Sequence, residues 1–422
     1  MPPAHYGGTE RVIDWLIKEL AALGHRLTYL GPAGSSVPAA AELVPPPDPT
    51  SSMVSPADFL DRIPTGTDIV HVHCAADLDF GVPTLKTIHG YPFSKPGTRF
   101  YGERRNFDQF CSFVSNAQRN LCGRIENPFV HNGIDLSEYR YEERKDDYFL
   151  FLAKVDWPEK GLWTAIDVAR QRGLKLLIAG DFIDPSFYER ELKPHLDAHI
   201  RYVGPVGGTE KAELLARARA LLFPVAWPEP FGLAVVEALA SGTPVLATDY
   251  GAMPEIMAPG ITGYLCGGAF SVADIAGEMA AQVDRLDLID PAACRQRVLD
   301  LFTSRIMAEN YLKLYGRVIE ADRRDRESGP AADRLRQRVE RDPADLEAWL
   351  ELTNEELGCG RVGEAIATLN RMLEVNPHCY QGYAYLHRLY LLAGDQGRAG
   401  RVAGLLREYR DGIAEVLQNI SG

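Results

Sequence analysis

Apolar positions in the first third of the chain keep two different rhythms. Val12, Ile13, Leu16, Ile17, Leu20 and Leu23 recur at helical spacing behind Gly7-Gly8-Thr9, and Gly24 ends the run, which predicts one amphipathic helix with a glycine stop. After it the apolar stretches shorten and turn β-rich, at 27–30, 69–72, 85–88, 110–114 and 129–130. Strands separated by helical or loop segments predict a parallel sheet flanked by helices. The Pro-, Ser- and Asp-rich stretch 45–56 reads as a surface loop.

The same alternation starts again near Asp147. Strands are expected at 148–152, 174–178, 200–203, 220–223 and 244–247, with helices between them, for example 162–172 and 211–219. Two α/β units of this Rossmann-like kind are expected to face each other across a cleft, with ligands beyond the carboxyl ends of the strands. The pattern changes after Lys313, beyond which every basic residue is arginine, and a charged run over 320–327 ends at Gly329-Pro330. A period then appears: Trp349 and Tyr383, Leu352 and Leu386, Leu357 and Leu391, Gly360 and Gly394, Ala365 and Ala399, and Pro343 and Pro377 are each 34 residues apart. That spacing, with an aromatic, leucines, a small alanine and a terminal proline, resembles the tetratricopeptide repeat of stacked helix pairs. A partial helix over 331–341 and two repeats are expected. Because about three units are needed for a continuous core, the array should dock on the second unit or self-associate. The chain is thus read as α/β, with one Rossmann-like domain over 1–143, a second with a closing helix over 144–324, and an all-α repeat segment over 331–422.

Composition narrows the class. A length of 422 residues exceeds a single core, and 46% hydrophobic with 24% charged residues is the balance of a soluble globular protein. No apolar run approaches the roughly 20 residues that span a bilayer, and the first residues do not read as a signal peptide, so a cytoplasmic location is expected. Seven cysteines without a Cys-x-x-Cys pair fit reduced core thiols rather than disulfides or zinc. A net charge of -13 argues against nucleic acid as a partner. Between Lys86 and Arg124, however, seven basic residues (86, 95, 99, 104, 105, 119 and 124) face two acidic ones (103 and 108), which allows at most a peripheral membrane contact or an anionic acceptor, besides a solvated face.

The chemistry concentrates in Pro228-Glu229-Pro230-Phe231-Gly232-Leu233-Ala234-Val235-Val236-Glu237. Its surroundings read as strand, loop, helix, turn and strand, which puts Glu229 in the loop and Glu237 on the helix. A carboxylate among Leu233, Val235, Val236 and Leu239 is costly to bury unpaired, so Glu237 either faces solvent or meets a polar ligand.

These residues, continuing through Ser241-Gly242-Thr243-Pro244 and Pro254-Glu255, resemble the two-glutamate motif of the retaining glycosyltransferases of family four. Tyr6-Gly7-Gly8-Thr9-Glu10-Arg11-Val12, Thr87-Ile88-His89-Gly90, Asn132-Gly133-Ile134-Asp135 and Pro158-Glu159-Lys160-Gly161 support the likeness in the family's order. It covers most of residues 1–320 and implies the GT-B architecture, two Rossmann-like domains around a nucleotide-sugar cleft. It also implies a hexosyl transfer from a UDP- or GDP-linked sugar to a carbohydrate, lipid-linked or small-molecule hydroxyl, with retention and without a metal or other cofactor. Departure of the diphosphate needs positive charge. No Asp-x-Asp pair is obvious at a sheet edge to hold a metal, so the protein must supply that charge. By the resemblance Lys154 and Lys160 grip the diphosphate, aided by backbone N–H groups at Gly232 and Leu233, and Gly7 and Gly8 allow close approach at another helix start. Glu237 would take the ribose diol in two-pronged fashion. Glu229 would lie by the transferred sugar, and His89 would lie near sugar and acceptor.

Two features depart from the family. Ala153-Lys154 stands where Gly-Arg is usual, keeping the charge but losing the planar fork. The apolar strand that normally leads into the glycine loop is missing, since Met1 falls directly before Pro2-Pro3-Ala4-His5-Tyr6, and a native start further upstream is expected. Two other readings stay open on these residues: a decayed transferase that serves as an interaction scaffold through its repeats, which would bind a protein partner or a second copy, and a sugar-nucleotide epimerase or hydrolase on the same fold.

Overall fold

The computed structural model describes residues 7–48, 56–73, 80–91, 110–267, 274–327 and 331–407. The chain forms two compact units, Met1–Val318 and Ile319–Gly422.

The first unit opens with α1 (Gly8–Ala22), which buries Val12, Trp15, Leu16 and Leu20, the face its spacing predicts. Next come β1 (Leu27–Leu30), β2 (Ala41–Val44), β3 (Val70–Val72), β4 (Thr84–Ile88), β5 (Cys111–Phe113) and the short α2 (Asn116–Leu121). All pair in parallel, but in two separate sheets, β1-β2 and β3-β4-β5. This corrects the single sheet expected from the sequence, because no ladder joins β1 to β3 among the described residues. The strand expected at 129–130 is reduced to one bridge between Phe129 and Phe113, and β2 had no counterpart in the sequence reading.

The second half follows expectation closely: β6 (Phe149–Leu152), α3 (Leu162–Arg172), β7 (Leu176–Ala179), β8 (Ile200–Gly204), α4 (Gly208–Arg217), β9 (Ala220–Phe223), α5 (Leu233–Ala240), β10 (Val245–Thr248), α6 (Met253–Ile256), β11 (Gly263–Cys266), α7 (Ile275–Gln282) and α8 (Pro291–Leu301). The strands order as β11-β10-β9-β6-β7-β8, all parallel. β9 and β10 are buried throughout, as continuous apolar runs covered on both faces should be. The order reverses between β6 and β9, and that switch point opens a crevice at the strands' carboxyl ends. The chain then crosses back in α9 (Ser304–Glu327). The Ile134 N–H donates to the Phe302 carbonyl and the Ser304 N–H to the Ile134 carbonyl, while Tyr315 reaches β3 through His71 and Tyr311 reaches β4 through Thr87. One apolar core, from Val12 to Val318, serves both halves.

The second unit contains α10 (Ala331–Arg341), α11 (Leu346–Gly358), α12 (Val362–Val375), α13 (Tyr380–Leu392) and a helical stretch over 396–407. α11 and α13 begin 34 residues apart (380 - 346) and share a core of Trp349, Leu352, Leu369, Met372, Leu386 and Leu389. Among the described residues no helix is long and apolar enough to cross a membrane.

Candidate active site

A cleft of about 580 Å³ lies over the carboxyl ends of β6 and β9, closed from the other side by the first half. Gly7, Gly8, His89, Lys154, Lys160, Glu229, Gly232, Leu233 and Glu237 all line it. Residues spread over more than two hundred positions meet because they follow strands or lie at or near helix starts at this one edge, Glu237 one turn into α5.

Neither glutamate is free. Lys160 Nζ donates to Glu229 Oε2 at 2.8 Å, Trp227 Nε1 donates to the same oxygen at 2.8 Å, and the ammonium stands 4.7 Å over the Trp227 ring. The lysine carried over as a diphosphate ligand therefore already holds an internal counter-ion. Lys154 lies 3.9 Å from Asp181 in the same way, though more loosely. Glu237 is 5% exposed, and its Oε1 accepts from both Lys211 Nζ and Tyr139 Oη at 2.6 Å. Burial and the Glu237 charge push the Tyr139 phenol well above its ordinary range, so Tyr139 stays a donor. Glu237 Oε1, one of the two oxygens expected from the sequence to take a ribose in two-pronged fashion, thus already accepts from two side chains.

Local backbone explains these placements. Gly161 ends the turn Pro158–Lys160 with φ 77° and starts α3, and a Cβ there would collide with the Pro224 carbonyl. Gly232 caps α5 at φ 97°. Its neighbour Leu233 packs over Gly8, where a Cβ would sit 3.2 Å from Leu233 Cδ1. Gly8 thus lets the two halves approach each other, a reason apart from the phosphate approach read in the sequence.

On the facing wall, His89 Nε2 shares a hydrogen bond with His73 Nδ1 at 2.9 Å. The His71 ring centroid lies 4.0 Å from that of His73 with the rings tilted by 37°, and His71 bonds Tyr315 Oη and Thr87 Oγ1 at 2.7 Å each. Burial lowers His71 to about 3 and His89 to about 4 and brings His73 down as well. His89 is therefore a neutral imidazole near pH 7, able to hydrogen-bond but carrying no charge. Beside the cleft, Glu255 accepts from the Asn116 and Ala117 amides at 3.0 and 2.6 Å and from His131 Nε2 at 2.9 Å, while Ser115 Oγ donates to the Pro230 carbonyl at 2.6 Å. These bonds tie the second half to the start of α2. Burial raises the Glu255 carboxyl, but the His131 and amide bonds outweigh it and hold the group below its ordinary value.

Sequence reasoning passed over Lys211, Tyr139, Trp227, His73 and the α9 tyrosines. Lys211 opened a predicted helix and looked like any surface lysine; its apolar helical neighbours were the only signal. Asp77-Leu78-Asp79, which follows β3, is an Asp-x-Asp triplet that the sequence reading overlooked. It lies outside the described residues, as do Tyr6, part of the 45–56 loop and the basic residues 95, 99, 104 and 105. Among the described residues no group of three metal-binding side chains has the geometry of a metal site.

Two parallel α/β halves joined across such a cleft define the GT-B class of transferase folds. Solved structures agree: AviGT4, a glycosyltransferase involved in avilamycin A biosynthesis, matches over 76% of this chain and 92% of its own at TM-score 0.61 and 27% identity. Sucrose-phosphate synthase from Thermosynechococcus elongatus shares the fold at TM-score 0.58 and 18% identity, over 76% of this chain and 97% of its own. By sequence, residues 6–138 match the family described as Glycosyltransferase Family 4 and residues 137–284 that described as Glycosyl transferases group 1. The glycogen synthase of Mycobacterium tuberculosis is 33% identical over 42% of this chain, and the phosphatidyl-myo-inositol mannosyltransferase of the same organism 32% over 32%. The chain spans 43% and 38% of the length of those two relatives. The two adjoining family matches and these relatives are all to glycosyltransferases, and they support that class for residues 6–284.

Proposed function

We propose that this chain moves a hexosyl group from a nucleotide sugar, UDP- or GDP-linked, to an acceptor hydroxyl with retention of configuration and without a metal. The observation that carries this reading is the convergence of Lys154, Lys160, Glu229 and Glu237 at the β6/β9 switch point, opposite Gly7, Gly8 and His89. In this reading Lys154, Lys160 and the N–H groups opening α5 take the diphosphate, and Glu237 takes the ribose. Neutral His89 hydrogen-bonds sugar or acceptor. The C1–O bond to phosphate breaks as the acceptor oxygen bonds to C1. With no protein nucleophile assigned, retention requires the acceptor to enter on the face the diphosphate leaves, so the departing phosphate oxygen takes the acceptor proton. Glu229 stands beside the oxocarbenium-like centre, its charge tempered by Lys160. The second unit, whose helices keep a 34-residue step, is read as tetratricopeptide-like and as the recruiter of an acceptor or of a second copy, and the whole as cytoplasmic.

Isothermal titration with UDP, GDP and ADP and their glucose and mannose conjugates, first without metal and then with magnesium, tests the proposal on the chain and on Glu237→Ala. Metal-free binding of one nucleotide that disappears in Glu237→Ala supports it. A folded chain that binds none of them refutes it.

A further inference from the structure

Lys211 lines the cleft beside Glu237 and is 8% exposed. It projects from the first turns of α4 and donates to Glu237 Oε1. Tyr139, from the segment joining the two halves, donates to the same oxygen. Tyr139 is held in turn by Trp15 edge-on at 6.5 Å and by the Lys211 ammonium 5.4 Å from its ring. A carboxylate oxygen has two lone pairs, and two donors at 2.6 Å use both. Glu237 therefore keeps Oε2 alone to offer to a ligand. A lysine ammonium has three N–H donors, and the bond to Glu237 consumes one.

We propose that Lys211 is a ligand-binding residue: its ammonium and Glu237 Oε2 form a donor–acceptor pair that recognises two adjacent hydroxyls of the nucleoside ribose. One hydroxyl donates to Oε2, and its neighbour accepts from Lys211 Nζ. A glutamate using both oxygens would need both hydroxyls as donors, so the two arrangements differ in the direction of one hydrogen bond. Tyr139 acts as a positioning residue: by filling Oε1 it leaves Oε2 as the sole acceptor. The proposal rests on the nucleotide-sugar reading above and specifies how its ribose is selected.

The test is titration of the full chain with whichever of UDP, GDP and ADP binds, and with its 2′-deoxy, 3′-deoxy, 2′-fluoro and 3′-fluoro analogues. In the wild type, removing the hydroxyl that faces Lys211 should weaken binding about tenfold or more, the effect of losing a hydrogen bond to a charged group. Fluorine, which can accept weakly but not donate, should recover at least part of that loss at one position and none at the other. Lys211→Met should bring ribose and deoxyribose at the first position to within about threefold. A folded Lys211→Met chain that keeps the wild-type ratio overturns the proposal. Should that variant fail to fold, the wild-type series decides, and fluorine as poor as hydrogen at both positions overturns it. Binding of none of the three nucleotides to the folded wild type would refute the nucleotide reading itself. Ribose discrimination that ignores Lys211 would refute only this inference.

Discussion

Replacing Lys160 by methionine and Glu229 by glutamine should move nucleoside diphosphate affinity in opposite directions. The ion pair at 2.8 Å lies in a cleft wall where the two side chains are 11% and 12% exposed. At the effective permittivity near a protein surface, unit charges about 4 Å apart interact by roughly 4 kcal/mol, most of which solvation offsets. A hydrogen bond to a charged group is worth about 1.5–3 kcal/mol net. If the ammonium passes from Glu229 to a phosphate, Lys160→Met loses that amount, about 10- to 150-fold in Kd. Glu229→Gln removes the carboxylate that competes for the ammonium and repels the incoming phosphates, which should tighten binding by about 1 kcal/mol, or roughly fivefold, while slowing transfer. The fold should survive both changes, because Trp227 Nε1 still serves the side chain at 229. The assay is titration of each variant and of the double variant with the nucleoside diphosphate and its monophosphate, alongside thermal unfolding. The monophosphate should shift by less than about threefold, since it lacks the distal group. Equal loss for both nucleotides, or weaker binding in Glu229→Gln, would refute the reasoning.

Gly161→Ala should cost at least about 2 kcal/mol in urea unfolding, because φ 77° is strained for alanine and the Pro224 carbonyl occupies the Cβ position; a loss below about 0.5 kcal/mol would contradict the geometry. Glu255→Ala should destabilise the first unit by about 1.5–3 kcal/mol through three lost hydrogen bonds, read as a lower unfolding midpoint, and an unchanged midpoint would show the tie to be idle. His71 and His89 are depressed to about 3 and about 4 when folded. Below pH 6.5 the unfolded chain therefore binds protons that the folded chain refuses. Their stabilising effect is complete above pH 6.5 and falls by about 1.4 kcal/mol per pH unit for each histidine on the way down towards the folded values. Urea titrations at pH 7, 6 and 5 should give His71→Asn a shallower pH slope than the wild type; parallel slopes would count against burial of a neutral ring.

Much of this molecule was legible without coordinates. The apolar runs expected as strands at 148–152, 220–223 and 244–247 form β6, β9 and β10 within a residue at either end, and helices occupy the segment that carries the 34-residue step. The residues that converge on the cleft were legible as well, because glycine turns and charges placed after strands or at helix starts carry a local signature. Their partners carried none. Lys211 reads as a helix lysine and Tyr139 as a linker aromatic, and nothing within either segment says that both end on one oxygen of Glu237. The same holds for the His73–His89 bond, and for the separation of β1-β2 from β3-β4-β5, where pairing depends on which backbones come to lie side by side. Local pattern determines which segments become strands and helices and which turns need glycine, since those are short-range steric and hydrophobic constraints. Which charge faces which, and therefore which oxygen is left for a ligand, is settled by contacts between residues 16 to 98 positions apart or more, and only the packed tertiary structure decides them.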